Sequence, residues 1–374
     1  MVIYLINTKK LIGTIKMECV IKQQNEIESQ KWNDFVTSNS TGWAYYLYEM
    51  IGVDRWDSYK NFSFAIVDKD NNDEILFILQ LHKTNDHPLF SKIKIKKENL
   101  HSRWGYVIKD NLPKKQFKKV KDCYEKYIDS LISKYNINHF DINLPPLSQS
   151  LIDNKSQINP LIHFNFAPKV RYSYIVDLSK PDDRMLADCE ETTRQAIRKI
   201  DAAAQYTIIE AKSTEEDCQA FIKLHKETYT RTFAKSAIIA DSYHRNMFFN
   251  LLPKGICRIF FLKEIETNEI VATVAILIYK NTAYYWWGDS KNEKEVGINK
   301  YLLFKVICII RESFGKTGYF ETGGAYVHLR NGKDKGLNDF KKCFGTYLAP
   351  IWGGEYSKIR PKWKLIIKKF LQKY

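Results

Sequence analysis

Apolar positions along the chain switch between two periods. Over residues 114–135, Phe117, Val120, Tyr124, Ile128, Leu131 and Tyr135 recur at three- and four-residue steps, which lays one stripe along a helix. Pro113 stands at its start, where a missing N–H costs nothing. The period then shortens, and "HFDINLPP" predicts a buried strand stopped by Pro145 and Pro146. Upstream, a short strand at 17–22 leads to a helix at 26–38, striped by Trp32, Phe35 and Val36. "FSFAIVDKDNNDEILFILQL" predicts a hairpin about an Asp/Asn turn. "KIKIKKENLHSRWGYVI" predicts an exposed strand running into a tighter one.

The second half repeats this grammar. "RYSYIVDLS" predicts a strand, and "PDDRMLADCEETTRQAIRKIDAAAQ" one helix with acid early and base late, as the helix dipole favours. "YTIIEA" predicts a strand. Ser213 and Glu216 are spaced as a capping box before a helix face of Cys218, Phe221, Ile222, His225 and Tyr229. Asp241 is placed to cap a further helix that stops before Pro253. Residues 257–290 read as three strands with two polar turns. Residues 298–314 are apolar almost all round and predict a buried helix. "YFETGG" is the next strand, and "LNDFKKCFG" a short final helix. "YNINHFDINLPP" and "FGKTGYFETGG" occupy matching places in the two halves, a weak internal repeat. Pro145, Pro146, Pro160 and Pro168 cluster between the halves, which sets the boundary near 168.

The expected fold class is therefore α/β (α+β), as two tandem copies of one fold, each a mixed central sheet flanked by helices. The first copy is 17–168 and the second 169–374. Residues 1–16 are expected to be an N-terminal extension, because "MECVIKQQNEIESQKWNDFV" from Met17 reads as a domain start. The extension has a five-residue apolar run and no small-residue cleavage site, which makes it a poor signal peptide.

Composition narrows the chemistry. At 44% hydrophobic and 14% aromatic, the chain has enough apolar material for large cores. Its net charge of +15 suggests an anionic partner: nucleic acid, a phosphorylated substrate or an anionic membrane surface. The seven cysteines are scattered and never spaced C-x-x-C, which fits reduced thiols in the cytoplasm. The eight histidines show no ligand spacing, so no metal is expected. No apolar run reaches the roughly 20 residues of a membrane-spanning helix.

Residues 321–345, "ETGGAYVHLRNGKDKGLNDFKKCFG", hold five of the chain's 16 glycines, interleaved with Arg330, Lys333, Lys335, Lys341 and Lys342. "GYFETGG" followed by "GLNDFKKCFG", the stretch "ETTRQAIRKI", and the hairpin "IFFLKEIETNEIVATVAILIYKNTAYYWWGDS" together resemble the Fem family. These bacterial enzymes carry two Gcn5-related N-acyltransferase (GNAT) domains in tandem and transfer amino acids from aminoacyl-tRNA onto peptidoglycan precursors. "SRWGYV" is a rough counterpart in the first half. The resemblance implies that Gly323 and Gly324 turn the chain out of a central strand beside the site. Gly332 and Gly336 would then shape a loop over it, and Phe340, Phe344 and Gly345 would dock the last helix. The long helical arm of the larger family members is missing here, as it is in shorter members. Acetyl-CoA users of the wider fold carry a pyrophosphate loop, roughly Q/R-x-x-G-x-G/A. The matching "KNEKEVGINKYL" has Gly297 alone, preceded by two glutamates that would repel a pyrophosphate.

Acyl transfer to an amine needs a proton acceptor, donors for the tetrahedral oxyanion, and both substrates in reach. Candidate bases are Asp289, which ends "YYWWGDS", and Glu321 in "YFETGG". Arg194 and Arg198 are one helical turn apart and can share an anion. Arg103 with Trp104 can meet a sugar or nucleotide, and Tyr229 and Arg231 follow a helix at the expected cleft. Of Tyr284, Tyr285, Trp286 and Trp287, strand alternation lets two face the site, and Tyr285 and Trp287 are the pair chosen. Gly323, Gly324, Lys341 and Phe344 complete the candidate substrate-binding set. The C-terminal "YSKIRPKWKLIIKKFLQKY" has seven basic residues and no acidic one, which suits a phosphate backbone or an anionic membrane.

Three readings stand at this point. The first is a Fem-like transferase forming an amide on a cell-wall or surface-polysaccharide precursor, with no tightly bound cofactor and with aminoacyl-tRNA or acyl-CoA as donor. Its acceptor would be a nucleotide- or lipid-linked sugar or peptide, its place the cytoplasm or the inner membrane face. The second is an acyl-CoA-dependent N-acyltransferase acting on an amino sugar. The third is a non-catalytic basic module for nucleic acid or membrane.

Overall fold

The computed structural model describes residues 17–51, 53, 59–85, 98–153, 158–232, 239–291, 297–326 and 333–357. The first half runs β1 (Cys19–Gln23), α1 (Ser29–Ser38), β2 (Tyr59–Asn61), β3 (Phe64–Asp68), β4 (Glu74–Leu79), β5 (His82–Asn85), β6 (Glu98–Ser102), β7 (Tyr106–Ile108), α2 (Lys114–Tyr135), β8 (Ile137–Asn143) and α3 (Gln149–Ile152). Next come β9 (Phe166–Asp177), α4 (Asp182–Asp188), α5 (Glu191–Ala203), β10 (Tyr206–Glu210), α6 (Glu215–Thr232) and α7 (Asp241–Asn246). The chain continues through β11 (Cys257–Glu264), β12 (Ile270–Tyr279), β13 (Thr282–Ser290), α8 (Ile298–Ser313), β14 (Tyr319–Ala325), α9 (Lys333–Lys342) and β15 (Tyr347–Tyr356).

Sequence periodicity places most of these elements. The stripe on α2 is buried at Val120, Tyr124, Ile128 and Leu131, and Asn136 ends the helix in the left-handed conformation that asparagine tolerates. The β3–β4 hairpin turns through Asn72 and Asp73, both at positive φ. Four strands form a smaller sheet in the order β1-β3-β4-β7. Eleven form a larger one in the order β10-β11-β12-β13-β14-β9-β15-β8-β6-β5-β2, so strands of both halves share it.

Four expectations are corrected. The helix expected over 181–205 is broken, because Cys189 and Glu190 are extended between α4 and α5. Cys189 is drawn into the core, and the Glu190 N–H donates to the Cys343 carbonyl beyond α9. The cap of α6 is Thr214 rather than Ser213: its hydroxyl accepts from the Asp217 N–H at 3.3 Å, while Ser213 donates to the Phe248 carbonyl. Gly336 lies within α9 rather than in a loop. The last described element is a strand, β15, whose Pro350, Gly353 and Gly354 hide its period. β15 pairs with β9 along its whole length and with β8 at its end, and so joins the two halves. Residue 168 falls inside β9. The extension 1–16, Gly332, the glutamates before Gly297 and the basic segment from 358 lie outside the described residues.

Three cores hold these layers. One lies under α2 in the first half and one under α5 and α8 in the second. The third is shared: Trp32, Trp43, Tyr45 and Tyr46 pack with Phe221, Phe248, Ile259 and Tyr279. Hydrogen bonds cross it from Trp43 Nε1 to Thr282 Oγ1 at 3.0 Å and from the Tyr279 hydroxyl to the Val36 carbonyl at 3.0 Å. No helix among the described residues is long and apolar enough to cross a membrane.

Candidate active site

The site begins where two parallel strands part. β13 and β14 pair only through Thr282–Tyr319, Ala283–Phe320 and Tyr284–Glu321. Each strand is bulged at that level. The β12–β13 register slips so that Trp286 has no opposite residue, and the β14–β9 register slips at Thr322. A bulge bends its strand, so both turn away from each other beyond Tyr284 and Glu321. Backbone N–H and C=O groups on the inner edges then face a wedge instead of a neighbour, ready for a ligand.

Glu321 stands at the apex and is 1% exposed. Its Oε1 accepts a 2.5 Å hydrogen bond from Ser173 Oγ on β9, and its Oε2 has no partner among the described residues. Burial pushes its carboxyl up to about 7, against the Ser173 hydrogen bond and the Lys341 charge, which pull it down. Lys341 reaches in from α9, with Nζ 3.4 Å from the Gly324 carbonyl. Burial lowers the pKa of its ammonium, and the Glu321 charge works the other way. A buried carboxyl titrating near neutrality beside an ammonium can take and return a proton.

The two glycines differ. Gly323 has φ +114, and a Cβ there would lie 3.1 Å from Lys341 Cε and Nζ; Gly324 has no positive φ, and its nearest atom would be 4.0 Å away. Both remain in the paired part of β14, so the expected sharp exit from the strand is instead a bulge. Gly323→Ala is expected to lower stability by more than about 1 kcal/mol and to slow transfer by displacing Lys341, whereas Gly324→Ala leaves both unchanged. Melting temperature and single-turnover rate check the pair.

A second polar cluster lies toward the end of β13. Asp289 is 1% exposed, and both its carboxylate oxygens lie 3.1–3.2 Å from His225 Nδ1 on α6. The His225 ring is 4.1 Å from Tyr229, 4.4 Å from His244 and 5.5 Å from Trp287. Burial, reinforced by His225, pulls the pKa of His244 down to about 3 and keeps it neutral. Burial and the Asp289 charge raise the pKa of the Tyr229 hydroxyl. Asp289 is five residues beyond Tyr284, the partner of Glu321, or roughly 16 Å along the strand. The two candidate bases are therefore not brought together.

The remaining candidates divide in the same way. Lys341 joins Glu321, and Phe344 is buried against Phe340, rings 5.5 Å apart, under α9. Tyr285 faces Phe340 at 5.9 Å, whereas Trp287 packs with Trp286 and Tyr284 in the shared core. The β13 bulge breaks the alternation that would have set Tyr285 and Trp287 on one face. Trp104 stacks on Tyr45 at 4.3 Å and lies 6.2 Å from Tyr284, the residue level with Glu321, and Arg103 lies over its ring. Arg194 donates to the carbonyls of Ala187 and Cys189 at the end of α4, while Arg198 is exposed. Arg231 donates to the Ser290 carbonyl at 3.0 Å and fastens the end of β13.

Sequence reasoning passed over Ser173 and left His225 as helix packing. A lone serine inside "RYSYIVD" and a histidine on an apolar helix face were the available signals; neither names its partner.

Residues 187–323 match the acetyltransferase (GNAT) domain family. No curated protein matches the chain in sequence. Among solved structures, FemX superposes with a TM-score of 0.65 at 17% identity, covering 94% of this chain and 100% of that one. L-PGS from Bacillus licheniformis follows with 0.56 at 12% identity over 92% and 96%. A tandem GNAT protein from the clavulanic acid biosynthesis pathway gives 0.51 at 12% identity over 91% and 99%. Residues 187–323 are therefore an acyltransferase domain of the GNAT type, in a chain with the Fem-like tandem GNAT fold.

Proposed function

We propose that the chain forms an amide by moving an aminoacyl group from its ester on tRNA to an amine of a nucleotide- or lipid-linked cell-wall or surface-polysaccharide precursor. The observation that carries this reading is Glu321: a buried carboxyl titrating near 7 at the apex of a strand wedge, with Lys341 beside it. The acceptor nitrogen attacks the acyl carbonyl, and the new C–N bond forms as the nitrogen proton passes to Glu321. The tetrahedral oxyanion is met by the Lys341 ammonium and by backbone N–H groups of the wedge. Collapse breaks the C–O bond, and the proton held by Glu321 leaves with the ribose hydroxyl. Asp289 and His225 hold the end of β13 against α6 and do no proton transfer in this scheme.

The tRNA donor is taken from the sequence resemblance to the Fem family, and the likeness to FemX over nearly the whole of both chains agrees with that resemblance in fold. Local sequence supports it too: Glu293 and Glu295 precede Gly297, which caps α8 at φ +99 where a pyrophosphate would have to sit. The GNAT family match favours a second reading, in which a CoA thioester is the donor, a C–S bond breaks and an amino sugar accepts. A cytoplasmic enzyme, peripheral to the inner membrane face when its acceptor is lipid-linked, fits either. A thermal-shift screen separates them. Aminoacyl-adenosine at 100 times its dissociation constant is expected to stabilise the protein by about 2.7 kcal/mol, with acetyl-CoA giving no shift. The reverse result overturns the tRNA donor.

A further inference from the structure

β9 leads from the reactive carboxylate out to solvent on one face. Its pairing with β15 runs from Phe166 to Ile175 without a register slip, so Lys169, Arg171 and Ser173 project from the same side. Ser173 holds Glu321, whereas Lys169 and Arg171 are exposed. The same face continues onto β8 and β6. There His101 Nδ1 is 2.7 Å from Asp141, and His139 is 2.9 Å from Glu355, which also pairs with Lys169 at 2.9 Å. Both carboxylates are thus engaged by histidine and lysine; Arg171 makes no ion pair or hydrogen bond among the described residues, and its charge acts on Asp141, whose carboxyl it helps, against the effect of burial, to hold below the usual range. An exposed arginine whose planar fork is not taken up by an ion pair, two residues along the strand from the serine that holds Glu321, can recognise a carboxylate or phosphate.

Resting on the transferase reading above, we propose that this face of β9 is an acceptor subsite whose specificity-determining contact is Arg171. The acceptor is accordingly an amine carrying an anionic group on the order of 7 Å from the nitrogen that reacts, the two-residue spacing along the strand between Ser173 and Arg171. The shared chemistry is an oxyanion, carboxylate or phosphate.

The test uses the full-length protein and three probes: Nα-acetyl-lysyl-alanine, its carboxamide, and its C-terminal phosphonate analogue. Binding is measured by NMR titration at low salt. The wild type is expected to bind the two anionic probes at least tenfold more tightly than the carboxamide, and the better of the two identifies the natural group. In Arg171→Gln that discrimination falls below twofold with an unchanged melting temperature, and Arg171→Lys keeps part of it. Raising ionic strength weakens the anionic probes alone. Equal binding of all three probes by the wild type, or discrimination that survives in Arg171→Gln, overturns the subsite. Glu321→Gln is expected to keep the discrimination. If the wild type discriminates among the probes but transfers to none from aminoacyl-adenosine, the transferase reading falls and the subsite stands.

Discussion

Glu321→Gln is expected to lower the rate of amide formation by about 10²–10⁴-fold, the usual contribution of a positioned general base. The same variant should be more stable at pH 8. The folded pKa of Glu321 is raised to about 7, above its ordinary value of 4.5. The folded state thus favours the protonated carboxyl. That preference is fully felt below the unfolded value and lost as pH rises through 7, so the buried charge costs most in mild alkali. The shift, which already includes the Ser173 hydrogen bond and the Lys341 charge, corresponds to a penalty on the order of 3 kcal/mol, and glutamine removes it. Unfolding by urea at pH 5 and 8 checks this: the variant should gain at pH 8 and be near neutral at pH 5. The wild-type transfer rate should rise with an apparent pKa near neutrality. Full turnover in Glu321→Gln would move the base elsewhere or leave the proton to the substrate.

Trp43→Ala is expected to cost about 3–5 kcal/mol. Trp43 is 1% exposed, its rings lie 5.2 Å from Tyr45 and 6.1 Å from Tyr284, and its Nε1 donates to Thr282. Removing it leaves a cavity between the halves and takes away the donor to the Thr282 hydroxyl, which keeps its own 2.7 Å hydrogen bond to the Tyr279 carbonyl. Tyr284 is level with Glu321, so transfer should fall as well as stability. Trp43→Phe separates the two terms, because it fills most of the volume but loses the hydrogen bond, and a loss of about 1 kcal/mol is expected. Differential scanning calorimetry gives the stability change, and activity at 15 °C, well below the melting transition, gives the effect on the site.

These two residues show where sequence reasoning reaches. Glu321 was named from the strand "YFETGG", as Asp289 was from "YYWWGDS", because each is a carboxylate near a strand end facing the expected cleft. Nothing in the sequence ranked it above Asp289. The ranking came from Ser173, 148 residues earlier, and from Lys341, which together with burial set its proton affinity. Trp43 was not singled out at all. Its partners Thr282 and Tyr284 lie some 240 residues away, and no local period points to them.

The sequence by itself determined the helices and strands with strong periods, such as α2, the β3–β4 hairpin and the run β11–β12–β13. Local stripes and alternation are written into neighbouring residues and survive any tertiary arrangement. It also determined the glycine-rich segment and the likeness to tandem acyltransferases. Only the tertiary structure decided the break between α4 and α5, the strand β15, the strand wedge and the separation of Asp289 from Glu321. Each depends on pairing between distant segments: Glu190 with Cys343, β15 between β9 and β8, and two bulges set by neighbouring strands. A bulge shifts every later side chain to the other face, so a one-residue slip at Trp286 changed which aromatic residues share a surface, and no reading of alternation along β13 alone could have found it.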